Sequence, residues 1–141
     1  MDPRGLKSKI ENLGRLVREK GTGRQLYYSK IQDNGFCIAF TPIKDNHDIE
    51  LKQIFEQCLE NSIKIANKKD FCKNPLYHLR VEGNKKSSPY VITAKFQLIP
   101  LATFVYSKNI ILLQVMRERY FEPIILKEVY SALEKFCLSE A

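Results

Sequence analysis

The chain has 141 residues, 44% hydrophobic and 28% charged, and its 23 basic and 16 acidic side chains leave a formal net charge of +7. A chain of that length fits one domain, 1–141, and needs no disulfide or metal staple to fold. Its 7 Tyr and 8 Phe exclude disorder throughout, and no run approaches the roughly 20 apolar residues of a membrane span.

Residues 4–19, RGLKSKIENLGRLVRE, place Leu6, Ile10, Leu13 and Val17 at helical spacing behind Asp2-Pro3. This predicts a basic amphipathic helix closed by GTG at 21–23, with Leu6 and Ile10 as candidate contacts for a partner protein. QLYYSKIQ (25–32) and GFCIAFTPI (35–43) flank Asp33-Asn34-Gly35, a strong hairpin signal. Within 25–43, Phe36, Ile38 and Phe40 share one face.

Residues 48–67 predict the clearest helix. Leu51, Ile54, Phe55, Cys58, Leu59, Ser62, Ile65 and Ala66 form its apolar stripe, and Glu50, Gln53, Gln57, Asn61 and Lys64 its polar side. Strands are expected across 76–116. LYHLRVE (76–82) and YVITAKFQL (90–98) alternate, the second bringing Leu98 to the same face as Tyr90, Ile92, Ala94 and Phe96. Pro100 is expected to end or bulge that strand. LATFVY, a Ser107-Lys108-Asn109 turn and IILLQVM predict a further hairpin whose last strand, apolar on both faces, is central. Residues 122–138 predict a C-terminal helix with Ile125, Val129, Ala132, Leu133 and Phe136 on its core side.

The expected fold class is therefore α+β. It comprises a mainly antiparallel four- or five-stranded sheet packed by three helices, in the order α-β-β-α-β-β-β(-β)-α. By element order alone this is similar to the Roadblock/profilin-like group of small scaffolds. The resemblance covers most of the chain and implies a dimerisation or adaptor module.

Chemistry-bearing motifs are sparse. There is no phosphate-binding glycine loop, no GxSxG and no CxxC, HxH or HxxxH pair. His47 sits beside Asp45 and Asp48 where a helix cap is expected, and His78 lies on the polar side of a strand. Cys37, Cys58 and Cys137 fall within apolar patterns and Cys72 between lysines. Without a signal-like leader they suit a reducing intracellular compartment. Glu82, Asp70 and Glu118 are the dispersed acids from which a small metal-dependent nuclease-like enzyme would be built. The expectation is nonetheless a chain that is not an enzyme and holds no cofactor or metal.

Two functional readings remain. In QVMRERYFEP (114–123), Arg117, Arg119, Tyr120 and Phe121 combine arginine and aromatic residues of the types that dominate interface hot spots. They favour a non-catalytic adaptor or accessory subunit with a partner protein, or a homodimer. Basic turns supply the alternative. Lys68, Lys69, Lys85 and Lys86, with Arg80 and Lys95 between them, suit electrostatic nucleic-acid contact of low sequence specificity.

Overall fold

A computed structural model describes residues 26–31, 35–44, 46–69, 78–84 and 90–138. Their elements are β1 (Leu26–Ile31), β2 (Gly35–Phe40), α1 (Asn46–Asn67), β3 (Leu79–Asn84), β4 (Tyr90–Phe96), β5 (Ile99–Tyr106), β6 (Ile111–Met116) and α2 (Phe121–Leu138). The strands form one sheet in the order β1-β2-β6-β5-β4-β3, every neighbouring pair antiparallel. The expected count of four or five strands is thus corrected to six, and the expected three helices to two among the described residues. The segment 4–19, with Leu6 and Ile10, lies outside the described residues.

The ambiguity at Pro100 resolves into two strands, because the chain reverses just before it, at Gln97-Leu98, and separates β4 from β5. Gln97 takes φ 55°, the left-handed backbone that tight hairpins require. The register shifts by one residue between Ala94 and Lys95, so Pro100 stands opposite Lys95. Proline has no N–H for the ladder, and a bulge beside it accommodates that loss.

Helix α1 crosses one face of the sheet and α2 packs against α1. The core between them holds Phe36, Ile38 and Phe40 from β2, Ile92 and Ala94 from β4, Phe104 from β5, and Ile111, Leu113 and Val115 from β6. Phe55 of α1 lies 6.0 Å from Phe40 and 5.6 Å from Phe104, ring centre to ring centre. Each fully buried side chain of this size contributes about 1.5–3 kcal/mol. In α1 the stripe follows the periodicity except that Ile54 is half-buried and, near the end, Ile63 is buried while Ile65 is only half-buried. β6 is central, between β2 and β5.

Alternation sends every second residue to the opposite, outer face of the sheet. Strand register aligns these residues in rows. Ala39, Leu112, Val105 and Val91 form an apolar row across β2, β6, β5 and β4. Cys37, Gln114, Thr103 and Thr93 form a polar row beside it, with Thr93 Oγ1 and Thr103 Oγ1 3.4 Å apart.

Among the described residues, no helix is long and apolar enough to cross a membrane.

Candidate protein-binding surface

β5 and β6 pair with Ala102 opposite Val115, so the β4–β5 turn and the exit of β6 lie at one end of the sheet. Both carry large apolar side chains facing water. Leu98 at the turn is 87% exposed, Ile99 48%, Met116 at the end of β6 41%, and Tyr120 before α2 47%. Scattered single exposures are ordinary, and several at one end make this end a candidate contact surface.

Glu118 shapes the approach to α2. Its Oε2 accepts the N–H of Tyr120 at 2.9 Å and that of Phe121, satisfying donors that a helix start leaves open. The turn this cap holds exposes Tyr120 and sends Phe121 inward, where it is 1% exposed. Phe121, expected at the interface, therefore serves the core. Arg119 extends along Tyr120, with Cζ 5.6 Å from the ring centre. Such an exposed cation–π contact is worth about 0.5–1 kcal/mol. Arg117 is exposed as well. Glu122 in the first turn of α2 keeps one carboxylate oxygen buried without a hydrogen-bond partner. Burial pushes its carboxyl above the usual range, and the Arg117 guanidinium acts against that shift.

Arg117, Arg119 and Tyr120 thus lie at the same end of the sheet as Leu98, Ile99 and Met116, which their sequence pattern did not single out. Leu98 was expected on the core side. The available signal was Pro100. A strand cannot carry proline in a central ladder, so the chain had to reverse before it.

The basic residues divide differently. Lys68 and Lys69 are exposed at the end of α1, and Arg80 is exposed on β3. Asn67 bonds to Leu79, which brings the first two to the same corner as Arg80. Lys95 reaches Glu82 at 2.9 Å, so its charge is matched on the outer face. Lys85 and Lys86 lie outside the described residues.

The remaining polar groups serve the fold. Asp48 is buried and accepts the N–H groups of Ile43 (3.3 Å) and Lys44 (2.7 Å), folding the loop before α1 onto its first turn. His47 pairs with Glu50 at 3.0 Å and meets the Phe136 ring edge-on, tying α1 to α2. Lys52 Nζ lies 4.4 Å from the Tyr90 ring centre and 5.5 Å from that of Tyr106. His78 is half-buried just before β3, and Cys37 and Cys58 are free thiols. Glu82 and Glu118 sit on separate elements, each engaged as above, while Asp70, Cys72 and the side chain of Cys137 lie outside the described set. Among the described residues no three His, Cys, Asp or Glu side chains gather as a metal site. No protein family, curated protein or solved structure matches the chain.

Proposed function

We propose that this chain is a non-catalytic adaptor or accessory subunit that binds a partner protein within a larger intracellular assembly. The observation that carries this reading is the exposed group Leu98, Ile99, Met116 and Tyr120 at one end of the sheet, bordered by Arg117 and Arg119. Apolar and aromatic anchors beside arginine are the side chains from which interface hot spots are built. In the free chain that apolar surface faces water, and covering it releases about 25 cal/mol per Å².

The test is affinity capture with tagged wild type, Leu98→Asp and a Tyr120→Ala/Arg119→Ala double variant, repeated after nuclease treatment and at high salt. The expected result is a stoichiometric protein that survives both treatments with wild type and is lost with Leu98→Asp. Equal capture by wild type and both variants would overturn the assignment to this end of the sheet.

A second reading rests on the exposed corner of Lys68, Lys69 and Arg80. Phosphate contact there would weaken steeply with salt, each neutralised phosphate contributing to the slope. Binding to a labelled oligonucleotide that is lost in Lys68→Ala/Lys69→Ala would favour it.

A further inference from the structure

We infer, resting on the Leu98 end as the protein-binding surface, that the partner's contact segment is acidic, with an apolar centre over Leu98, Ile99 and Met116 and carboxylates on both flanks. Register brings both basic groups of the chain to that end. Leu79 stands opposite Phe96 and Phe96 opposite Ile99, so β3 begins where the β4–β5 turn lies. Asn67 bonds to Leu79 and sets the end of α1, with Lys68 and Lys69, at the same place. Lys68, Lys69 and Arg80 therefore lie on the β3 side of the turn, and Arg117 and Arg119 on the β6 side. All five are exposed.

Among the described residues, the carboxylates nearby are engaged within the fold. Glu118 Oε2 accepts the N–H groups of Tyr120 and Phe121, and Glu122 is half-buried with one oxygen enclosed. Glu82, farther along β3, is taken by Lys95 at 2.9 Å. The opposite end of the sheet carries both signs, with Lys44, Lys52, Lys108 and Lys135 among Asp48, Glu50 and Glu134. The two ends thus differ in charge, and the basic one favours an acidic partner while repelling a basic one.

Spacing sets the pattern of the segment. β3 and β6 are three strand spacings apart, about 14 Å. Carboxylates that answer Arg80 and Arg117 are separated by about that distance, which extended chain covers in about five residues. The apolar side chains at the ends of β4, β5 and β6 lie between those flanks, so the centre of the segment is apolar. A phosphate backbone would neutralise the cations but leave Leu98, 87% exposed, uncovered. A bilayer takes up apolar side chains that stand clear of the protein, whereas Ile99, Met116 and Tyr120 each rest about half against it.

Fluorescence anisotropy on the full chain would compare three labelled peptides. They are EELFLLEE, LFEEEELL with the same composition but central acids, and KKLFLLKK. EELFLLEE should bind at least about fivefold more tightly than either of the others. Leu98→Asp should weaken it at least about tenfold, and Arg117→Ala/Arg119→Ala and Lys68→Ala/Lys69→Ala each at least about threefold, with unchanged thermal unfolding. Raising salt from about 50 to about 300 mM should weaken it several-fold without abolishing it, because screening leaves the apolar centre intact. Equal affinity for the three peptides, or arginine and lysine variants that bind EELFLLEE like wild type, would overturn the inference. If Leu98→Asp loses the captured protein while EELFLLEE binds no better than KKLFLLKK, the binding surface stands and its acidic partner does not. If capture is also indifferent to Leu98→Asp, the surface itself is refuted. Binding to phosphatidylserine vesicles or to a labelled oligonucleotide in preference to every peptide would assign the end to a membrane or a nucleic acid, and overturns the inference likewise.

Discussion

The side-chain amide of Asn67, the last residue of α1, engages both backbone groups of Leu79, the first residue of β3. Leu79 N–H donates to Oδ1 at 2.7 Å, and Nδ2 donates to the Leu79 carbonyl at 3.2 Å. An edge strand leaves alternate residues with both groups unpaired. Asn67 fills the first of these positions as a neighbouring strand would, and anchors the helix to the edge of the sheet.

Asn67→Ala should therefore cost about 1–3 kcal/mol, the penalty for stranding partly buried backbone groups. Asn67→Asp should recover only part of that, because a carboxylate cannot donate to the Leu79 carbonyl. Urea unfolding gives the energies, and amide exchange at Leu79 should accelerate in both variants. Unchanged exchange in Asn67→Ala would sink the role assigned to this contact.

Gly35 is held by its neighbours as much as by its turn. Its φ is 115°, and it pairs with Met116 at the rim of the sheet. A β-carbon there would run into the Val115 carbonyl oxygen and come within 2.6 Å of Arg117 N. Both atoms belong to backbone that cannot swing aside. Gly35→Ala should destabilise by at least about 2 kcal/mol, read from the denaturation midpoint. A loss near the few tenths of a kcal/mol of an ordinary surface change would refute the crowding argument.

The Glu82 carboxyl is held below its ordinary value of 4.5, first by the hydrogen bond from Lys95, then by the Lys95 charge, with Arg80 adding. A depressed carboxylate contributes stability that is present above its unfolded value and lost as pH falls through its folded one. The window thus opens near pH 4.5 and extends downward. Glu82 is exposed and Lys95 partly so, and the signature therefore belongs in the titration rather than in the melting temperature. Carboxyl NMR should show Glu82 titrating below the ordinary value in wild type and moving up in Lys95→Met. Identical titrations would mean that the pair does not persist in solution.

Burial pushes the Cys58 thiol up to about 12, with the Glu128 charge contributing, and its Sγ–H donates to the Glu128 carbonyl at 3.6 Å. The folded chain keeps this proton to higher pH than the unfolded one. The group therefore disfavours the fold increasingly from pH 9.0 upward, toward about 12. Because the thiolate is the reactive form, Cys58 should resist alkylation at pH 8 in the native protein and react readily in denaturant. Peptide mapping after labelling decides this, and rapid native modification of Cys58 would contradict its burial.

Residue patterning carried much of the local structure. Leu51, Phe55, Cys58 and Leu59 repeat at helical spacing, and all four are buried in α1. Ile111, Leu113 and Val115 alternate with Leu112 and Gln114, and β6 is a central strand. The pattern failed where a turn lacked its usual chemistry. Gln97-Leu98 contains neither glycine nor asparagine, so the alternation of YVITAKF appeared to continue through Leu98. That single error ran β4 two residues too far and hid the most exposed apolar side chain of the candidate binding end. Phe121 was misplaced for a related reason. Adjacent Tyr120 and Phe121 look equivalent in sequence, and the Glu118 cap determines which of them turns inward.

Periodicity, turn residues and charge balance were enough to specify an α+β domain, most of its core side chains and a surplus of positive charge, because each is a property of neighbours along the chain. The six-strand order, the apolar and polar rows of the outer face and the placement of Leu98, Met116, Arg117 and Tyr120 at one end arise only when distant segments pair in register. Register is a long-range choice. Each strand has an apolar side that satisfies the core equally well beside several partners, and only the packed sheet selects among them.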